Sequence, residues 1–479
     1  MRSSPTVLAS TGAAAAAASA AVRSSQASRI CLARLPAHQR RAFSRSAPRH
    51  AAPSGPSPAG LAELRSRKLI SVSGPDAAKY LQGVITANLT PGHAGPNPAS
   101  EHIRTDAGFY AAFLTAQGRI LHDVFVYRDP RDPSRPPGHS WLIEVDAAEA
   151  DRLQTHIKRY KLRARFDIRV LDDGEARVWH AWDDNSVAGP SPVETATTLS
   201  PHASSPTTII TVPDTRAPNL GHRILTLSPS PPPSPEAAGG GRLPLLPEAA
   251  YTLRRYLHGV PEGQAELLHG QALPHESNLD LTGAVDFRKG CYVGQELTIR
   301  TEHRGVVRKR VLPCLLYPDD DHHHDGPSPT TTTTTTTASS SSPSSFYPLY
   351  RAEIAPGLGA DMVPAEASIG RVGRRGRSAG KWLRGVGNVG LALCRLETMT
   401  DVALPGEPGA PASAGAADQF VVSLGGGGDA DADADGVDPA AADGAGHDGG
   451  RAAAAPRVRV RALVPDWLRK GLAEKERRH

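Results

Sequence analysis

The 479-residue sequence lacks long apolar runs and has only four cysteines. No stretch approaches the ~18 consecutive apolar residues that a helix needs to cross a bilayer, so we expect no membrane span. Cys31, Cys291, Cys314 and Cys394 show no C-x-x-C or Cys/His spacing, which argues against a zinc site and a disulfide framework. Cys314 and Cys394 lie in apolar, strand-like runs and are predicted to be small buried side chains.

Acidic residues are absent from the first 62 positions, and the first 50 contain eight Arg and no Lys. This composition is typical of an organelle transit peptide, which we assign to residues 1–55, with cleavage expected near Phe43. Without these eight Arg, the formal net charge of +5 becomes about −3. The alkaline pI is therefore a property of the leader, and no nucleic-acid partner is indicated.

Three stretches rich in Pro, Ser, Thr, Gly or Asp interrupt the remaining chain. They are predicted to be disordered insertions at about 185–243, 318–345 and 425–455, because such compositions bury too little apolar surface to offset ordering entropy. Two short strands, Thr208–Val212 and His222–Leu227, are expected within the first of them. His322 to His324 and Asp429 to Asp435 are interpreted as solvated low complexity rather than metal sites.

Alternating strand and helix patterns predict an α+β region over 56–305. The pattern includes a hairpin of Ala111–Thr115 with Ile120–Tyr127, and a helix over Ala249–His258 with Arg254 and Arg255 on a wet face. Five or six short β-rich runs predict a barrel over 306–479. The basic stretch Arg371–Arg384 is expected to be a turn between two barrel strands.

The segment Lys289-Gly-Cys-Tyr-Val-Gly-Gln-Glu296 concentrates residue types with special chemistry. Gly290 and Gly294 permit backbone conformations closed to other residues and can present Cys291 outward on a turn. The positive charges of Arg288 and Lys289 would favour the thiolate, which attacks electrophiles and binds metals. From the residues alone, a reactive or ligating Cys291 and a cysteine that merely fills the core are about equally supported.

The segment resembles the signature of the YgfZ-type proteins, relatives of the glycine-cleavage aminomethyltransferase. The matching motif residues are Lys289, Gly290, Cys291, Tyr292, Gly294, Gln295 and Glu296. The resemblance also includes Gly259-Val-Pro-Glu-Gly263 and Asn278-Leu-Asp280, and covers roughly Leu61 to Arg310. It implies an aminomethyltransferase-like folate-binding fold, with two α+β modules around a central cavity and a C-terminal β-barrel.

With a mitochondrial leader, the resemblance implies an accessory factor for [4Fe-4S] proteins in the mitochondrial matrix and favours an assembly factor over an enzyme. Iron-sulfur clusters usually need four thiolate-type ligands, and the chain offers one well-placed thiol. This count fits a shared cluster to which Cys291 supplies one ligand, and the resemblance implies an A-type scaffold protein as the partner. The [4Fe-4S] client enzymes would be served indirectly.

Two other functions are compatible with these residues. A folate-dependent aminomethyltransferase would have the same fold and would bind tetrahydrofolate, with Asp123, Glu276 and Asn278 as the expected pocket residues. A thiol enzyme would use Cys291 as nucleophile with His303 or His275 as base. The cysteine of the motif is not normal in the transferases, which favours the assembly factor.

Overall fold

The computed structural model describes residues 52–89, 107–131, 134–136, 138–185, 208–227, 233, 241–319, 349–372, 377–404, 419–424 and 457–477. The expected cleavage site near Phe43, the insertion at 425–455, and most of the one at 318–345 lie outside these residues. Within the described ranges, no helix has both the length and the apolar character required to cross a bilayer.

The first part of the chain forms two five-stranded sheets. The strands, in chain order, are β1 (Ala59–Glu63), β2 (Arg67–Ser73), β3 (Gly108–Leu114), β4 (Ile120–Arg128), β5 (Ser140–Asp146), β6 (Asp167–Val170), β7 (Ala176–Asp183), β8 (Thr208–Pro213), β9 (His222–Leu227) and β10 (Leu245–Leu246). One sheet has the order β10-β1-β7-β9-β8 and the other β3-β4-β5-β2-β6. All neighbours are antiparallel except β1 and β10.

In the part of the chain that the structure describes, six helices and two short 3₁₀ segments connect or cover the strands. They are α1 (Ala77–Val84), a 3₁₀ turn (Ala147–Glu149), α2 (Ala150–Tyr160), α3 (Glu248–His258), α4 (Gln295–Arg304), a second 3₁₀ turn (Ala360–Met362), α5 (Leu396–Met399) and α6 (Asp466–Glu476). In α2, only Ala150, Leu153 and Ile157 are buried, at the spacing of one helix face. This face packs on the outer side of the second sheet with Val72, Ile143 and Val145.

The second part of the chain forms a closed barrel. Its strands are β11 (Lys309–Pro318), β12 (Ser368–Arg371), β13 (Gly380–Val386), β14 (Val389–Arg395), β15 (Phe420–Ser423) and β16 (Arg457–Ala462), in the order β11-β14-β13-β12-β15-β16. Trp382, Cys314 and Cys394 fill its interior, and Leu468 of α6 joins the same apolar cluster. The predicted α+β class with a C-terminal barrel is confirmed.

The two strands expected within the first insertion are confirmed, as β8 at the edge of the first sheet and β9 beside it. Two other local predictions are wrong. Arg254 and Arg255 do not form a wet face, since they are 3% and 5% exposed and bind Asp184 and Glu266. The basic stretch from Arg371 is not simply a turn, because β13 begins within it at Gly380.

Candidate functional site

The motif Lys289–Glu296 lies on the rim of the second sheet, between a turn-rich segment and the first turn of α4. Its backbone is tied to the end of α1: Val293 N–H donates to the Gly83 carbonyl at 3.1 Å. Just upstream, Asp286 N–H donates to the carbonyl of Thr86 at 3.0 Å. The motif is thus held by a chain segment about two hundred residues earlier in the sequence.

Lys289 is buried, and its ammonium group binds main-chain carbonyl groups. Nζ donates to the carbonyls of Gln82, Ile85 and Ala87 at 2.7, 2.6 and 3.0 Å, and lies 4.9 Å from the centre of the Tyr292 ring. These carbonyls surround the end of α1, where partial negative charge favours a cation. Lys289 therefore anchors the motif to α1, and its effect on the charge of Cys291 stays a prediction.

The two motif glycines differ. Gly294 has a φ of +82°, and a Cβ there would lie 2.3 Å from the Thr115 carbonyl oxygen, so glycine is required. Gly290 does not have a positive φ, and an added Cβ would meet nothing within 4 Å. The prediction of a special backbone conformation is confirmed at Gly294 and wrong at Gly290.

Cys291 is exposed on the turn that these contacts hold. Val293 and Leu297 beside it in sequence are 43% and 36% exposed, which is unusual for large apolar side chains. Tyr292, which directly follows Cys291, points inward. Its side chain is 6% exposed, and its N–H donates to Gln295 Oε1 at 3.1 Å. Glu296 is exposed in the first turn of α4, where a carboxylate is favoured.

A cluster of charged side chains ties α4 to the C-terminal helix α6. Lys475 of α6 binds Glu302 of α4, and its Nζ lies 2.8 Å from Asp280 Oδ2. Arg310 pairs with both oxygens of Asp280 at 2.9 Å, and these cations hold the pKa of Asp280 well below its usual range against the opposing effect of burial. Helix α6 and the role of Lys475 were missed from the sequence, which gave no strong apolar period there.

His275 is part of this charged cluster and is not a hydrogen-bond partner of the Cys291 thiol. Its Nε2 lies 3.1 Å from Glu302 Oε2, and its side chain is 5% exposed. A cavity of about 210 Å³ opens beside it, lined by residues of α4, α6 and the chain after β14. Among the hydrogen bonds of the described residues, none joins Cys291 to His275 or to the exposed His303, so the structure offers no support for a paired base.

Asp123 of β4 lies at the centre of the two-sheet region, where the resemblance implies a cavity. It is fully buried, accepts the N–H of Gly263 at 3.0 Å, and lies 3.5 Å from Arg67 Nη1. Burial raises its pKa, against the effect of Arg67. The other members of this buried network are Tyr110, Tyr127, Glu144, Asp214, Arg216, Arg223, Tyr251, Arg255, Glu262 and Glu266.

Glu262 shows how tightly the network is packed. One of its oxygens accepts from Arg216 at 2.7 Å, Arg223 at 2.6 Å and Tyr251 at 2.7 Å. Burial alone would raise its pKa, but the surrounding guanidinium groups hold the pKa well below the usual range. Side chains from the β8–β9 hairpin and from α3 therefore converge on one buried carboxylate at this position.

The other two expected folate residues lie apart from Asp123, at the junction with the barrel. Asn278, with a φ of +62°, donates from Nδ2 to the Val311 carbonyl at 2.8 Å and accepts from Arg310 at 3.1 Å. Glu276 is half-buried, burial raises its pKa, and its carbonyl accepts the Val311 N–H at 2.8 Å. Among the described residues, no hydrogen bond or ion pair joins Asp123 to either of them, and none of the three lines the cavity of about 210 Å³ beside His275.

Three relatives share most of the chain, and each is named "Iron-sulfur cluster assembly factor IBA57 homolog, mitochondrial". The protein of Chaetomium globosum is 63% identical over 456 residues, covering 94% of both chains. That of Pyricularia oryzae is 48% identical and covers 88% of both. That of Neurospora crassa is 46% identical, covering 86% of this chain and 81% of the relative.

A family model and a solved structure also match. The model of the CAF17 C-terminal beta-barrel domain matches residues 353–421, which span β12 to the start of β15. The glycine cleavage system aminomethyltransferase T of Bartonella henselae is 11% identical, with a TM-score of 0.46 over 86% of this chain and 87% of that one.

Proposed function

Because the chain belongs to the family of mitochondrial IBA57-type iron-sulfur cluster assembly factors, we propose that Cys291 is the residue through which it acts. The thiolate would bind one iron of a cluster held jointly with an A-type scaffold protein in the mitochondrial matrix. The cluster is cargo on its way to [4Fe-4S] enzymes, and the chain is an assembly factor rather than a catalyst.

The observation that carries this proposal is the contrast in exposure among the thiols. Cys291 is exposed, whereas Cys314 and Cys394 are fully buried. A cluster usually needs four thiolate-type ligands, so a chain that presents a single accessible thiol on its described surface needs a partner for the others. Sharing follows from the ligand count.

The surroundings of Cys291 suit a protein partner. Val293 and Leu297 provide exposed apolar area, and the exposed Arg288, Glu296 and Arg300 surround it with charge. An apolar centre with a polar rim is the usual composition of a protein interface. Lys289 and Gly294 fix the turn, which reduces the ordering cost of binding.

The first test replaces the resident gene with Cys291→Ser and measures aconitase beside a cluster-independent mitochondrial enzyme. Serine keeps the size of the side chain but is a poor ligand for iron, so aconitase activity should fall to that of the deletion strain at normal protein abundance. The matched control, Cys314→Ala, should retain activity. Wild-type aconitase activity with Cys291→Ser would overturn the proposal.

A second test separates the role of the Cys291 thiol from that of the exposed apolar surface formed by Val293 and Leu297. Purified protein is mixed anaerobically with a cluster-loaded A-type scaffold, and complex and cluster absorbance are followed by size-exclusion chromatography. Cys291→Ser should lose the cluster-dependent complex, and Leu297→Asp should weaken it while leaving the thiol in place. Tetrahydrofolate binding through Asp123, Glu276 and Asn278 stays a prediction, and titrating variants of these three residues with tetrahydrofolate checks it.

A further inference from the structure

Two imidazoles and one carboxylate come together beside strand β4, outside the Cys291 motif. His122 lies on β4, Glu149 ends the 3₁₀ turn after β5, and His269 follows the turn at Gly263–Leu267. One potential ligand atom from each of the three lies within 4.8 Å of the other two. Ligands about 2.0–2.1 Å from one tetrahedral ion are roughly 3.4 Å apart, so small rotations of the side chains would close this set.

Hydrogen bonds orient His269 as a ligand. Its Nδ1 donates to the Leu121 carbonyl at 2.9 Å and lies 4.0 Å from Glu149 Oε2, and its Nε2 keeps a free lone pair. A backbone carbonyl bonded to the other ring nitrogen is the usual support of a metal-binding histidine. The backbone on both sides is fixed to β4, since Gly270 N–H donates to Ile120 at 2.7 Å and Ile120 N–H donates to Ala272 at 2.9 Å.

Buried polar atoms without partners surround the same point. His122 is 1% exposed, and its Nδ1 has no hydrogen-bond partner among the described residues; the same is true of both amide atoms of Gln264. The unsatisfied nitrogen of His122, in a group with Glu149 and His269, calls for a bound group.

The charged neighbours leave room for a cation. Arg152 binds Glu149 at 3.3 Å through a side chain that is 58% exposed, and such surface pairs are weak. In the comparable set His275, Asp280 and Glu302, by contrast, the cationic position is taken by Lys475 and Arg310.

We propose that His122, Glu149 and His269 bind one divalent transition-metal ion of the Zn²⁺ or Fe²⁺ class, with at least one coordination position open. Two imidazole nitrogens and one carboxylate form a donor set that suits both ions. This site uses no residue of the Cys291 motif, and the proposal is independent of cluster sharing.

The test uses the full chain in a background that removes other metal donors, with Cys291→Ser and serine in place of His322, His323 and His324. The chain is stripped with chelator and titrated with Co²⁺ by visible absorption, with Zn²⁺ by competition against a chromogenic chelator, and anaerobically with Fe²⁺. We expect one ion per chain, with ligand-field bands and no sulfur charge-transfer band in the Co²⁺ form.

Two partly exposed ligands provide variants that should fold. Glu149→Gln and His269→Ala should each weaken Zn²⁺ binding at least tenfold, since even changes to groups that only support a ligand cost about 10–100-fold. The control His303→Ala, an exposed histidine on α4, should bind normally, and Zn²⁺ should raise Tm in the control but not in the two variants. Absence of one-to-one binding in the parent, or equal affinity in the parent and both variants, would overturn the proposal.

Discussion

The single thiol of the motif turn and the two thiols of the barrel interior show that this chain uses one residue type in two different ways. Cys314 and Cys394 are fully buried with their sulfur atoms 3.6 Å apart, and the neighbouring thiol and burial hold the pKa of Cys314 well above its usual range. Cys291 is exposed on a turn that a buried lysine and a glycine hold in place. Accessibility and anchoring, rather than the number of cysteines, distinguish the proposed ligand from the two core side chains.

Among the changes that test this comparison, Lys289→Met is expected to cause the largest loss of stability. The methionine fills the space but leaves the carbonyls of Gln82, Ile85 and Ala87 without their charged donor, so the free energy of unfolding should fall by about 3 kcal/mol. Urea unfolding measures the loss, and aconitase activity should fall as well because the turn is released. The adjacent exposed Arg288→Met is the control and should change stability by less than about 0.5 kcal/mol; equal effects of the two changes would contradict the anchoring role.

A smaller loss is expected from Gly294→Ala. The new methyl group would lie 2.3 Å from the Thr115 carbonyl at a φ of +82°, so the rim of the sheet must move, at about 2 kcal/mol. Gly290→Ala, with open space around the added methyl, should be neutral within about 0.5 kcal/mol. Thermal unfolding of the pair checks both, and the contrast would fail if alanine were tolerated equally at both positions.

The smallest effect should come from Cys314→Ala in the barrel. Removing one buried sulfur atom leaves a small cavity among Cys394, Trp382 and their neighbours, with a loss of about 1 kcal/mol. Cluster-dependent complex formation should be unchanged. A loss of complex formation at full stability would show that the barrel thiols take part in function, and the comparison would no longer hold.

Much of the scaffold followed from local patterns. The β3–β4 hairpin was evident from two β-rich runs around the Gln117-Gly118 turn, and α2 from one apolar face. Strand β13 was missed because its register shifts between Trp382 and Arg384, which interrupts the alternation that identifies strands. Arg216 and Arg223 lie in or beside a Pro/Ser/Thr-rich stretch that suggested solvent, yet both are fully buried.

At the site, sequence reasoning identified the thiol and one of its two glycines but not their supports. Lys289 precedes Cys291 in sequence, so proximity suggested an electrostatic role, whereas its partners at Gln82 to Ala87 are visible only after folding. His269 and Glu149 carried no motif, because their contact depends on three elements that are separate in the sequence. Long-range contacts of this kind have no local signature.

The position of Lys475 has a consequence for the order in which the motif helix is completed. The residue that binds Glu302 of α4 lies 173 positions after it, beyond the last barrel strand, and Gly471 of the same helix packs against Leu281. Synthesis proceeds from the N-terminus, and early segments fold first. The helix that follows Cys291 therefore receives this support only after all the barrel strands have been made, so a chain that is still being synthesised would present the thiol beside an unsecured helix.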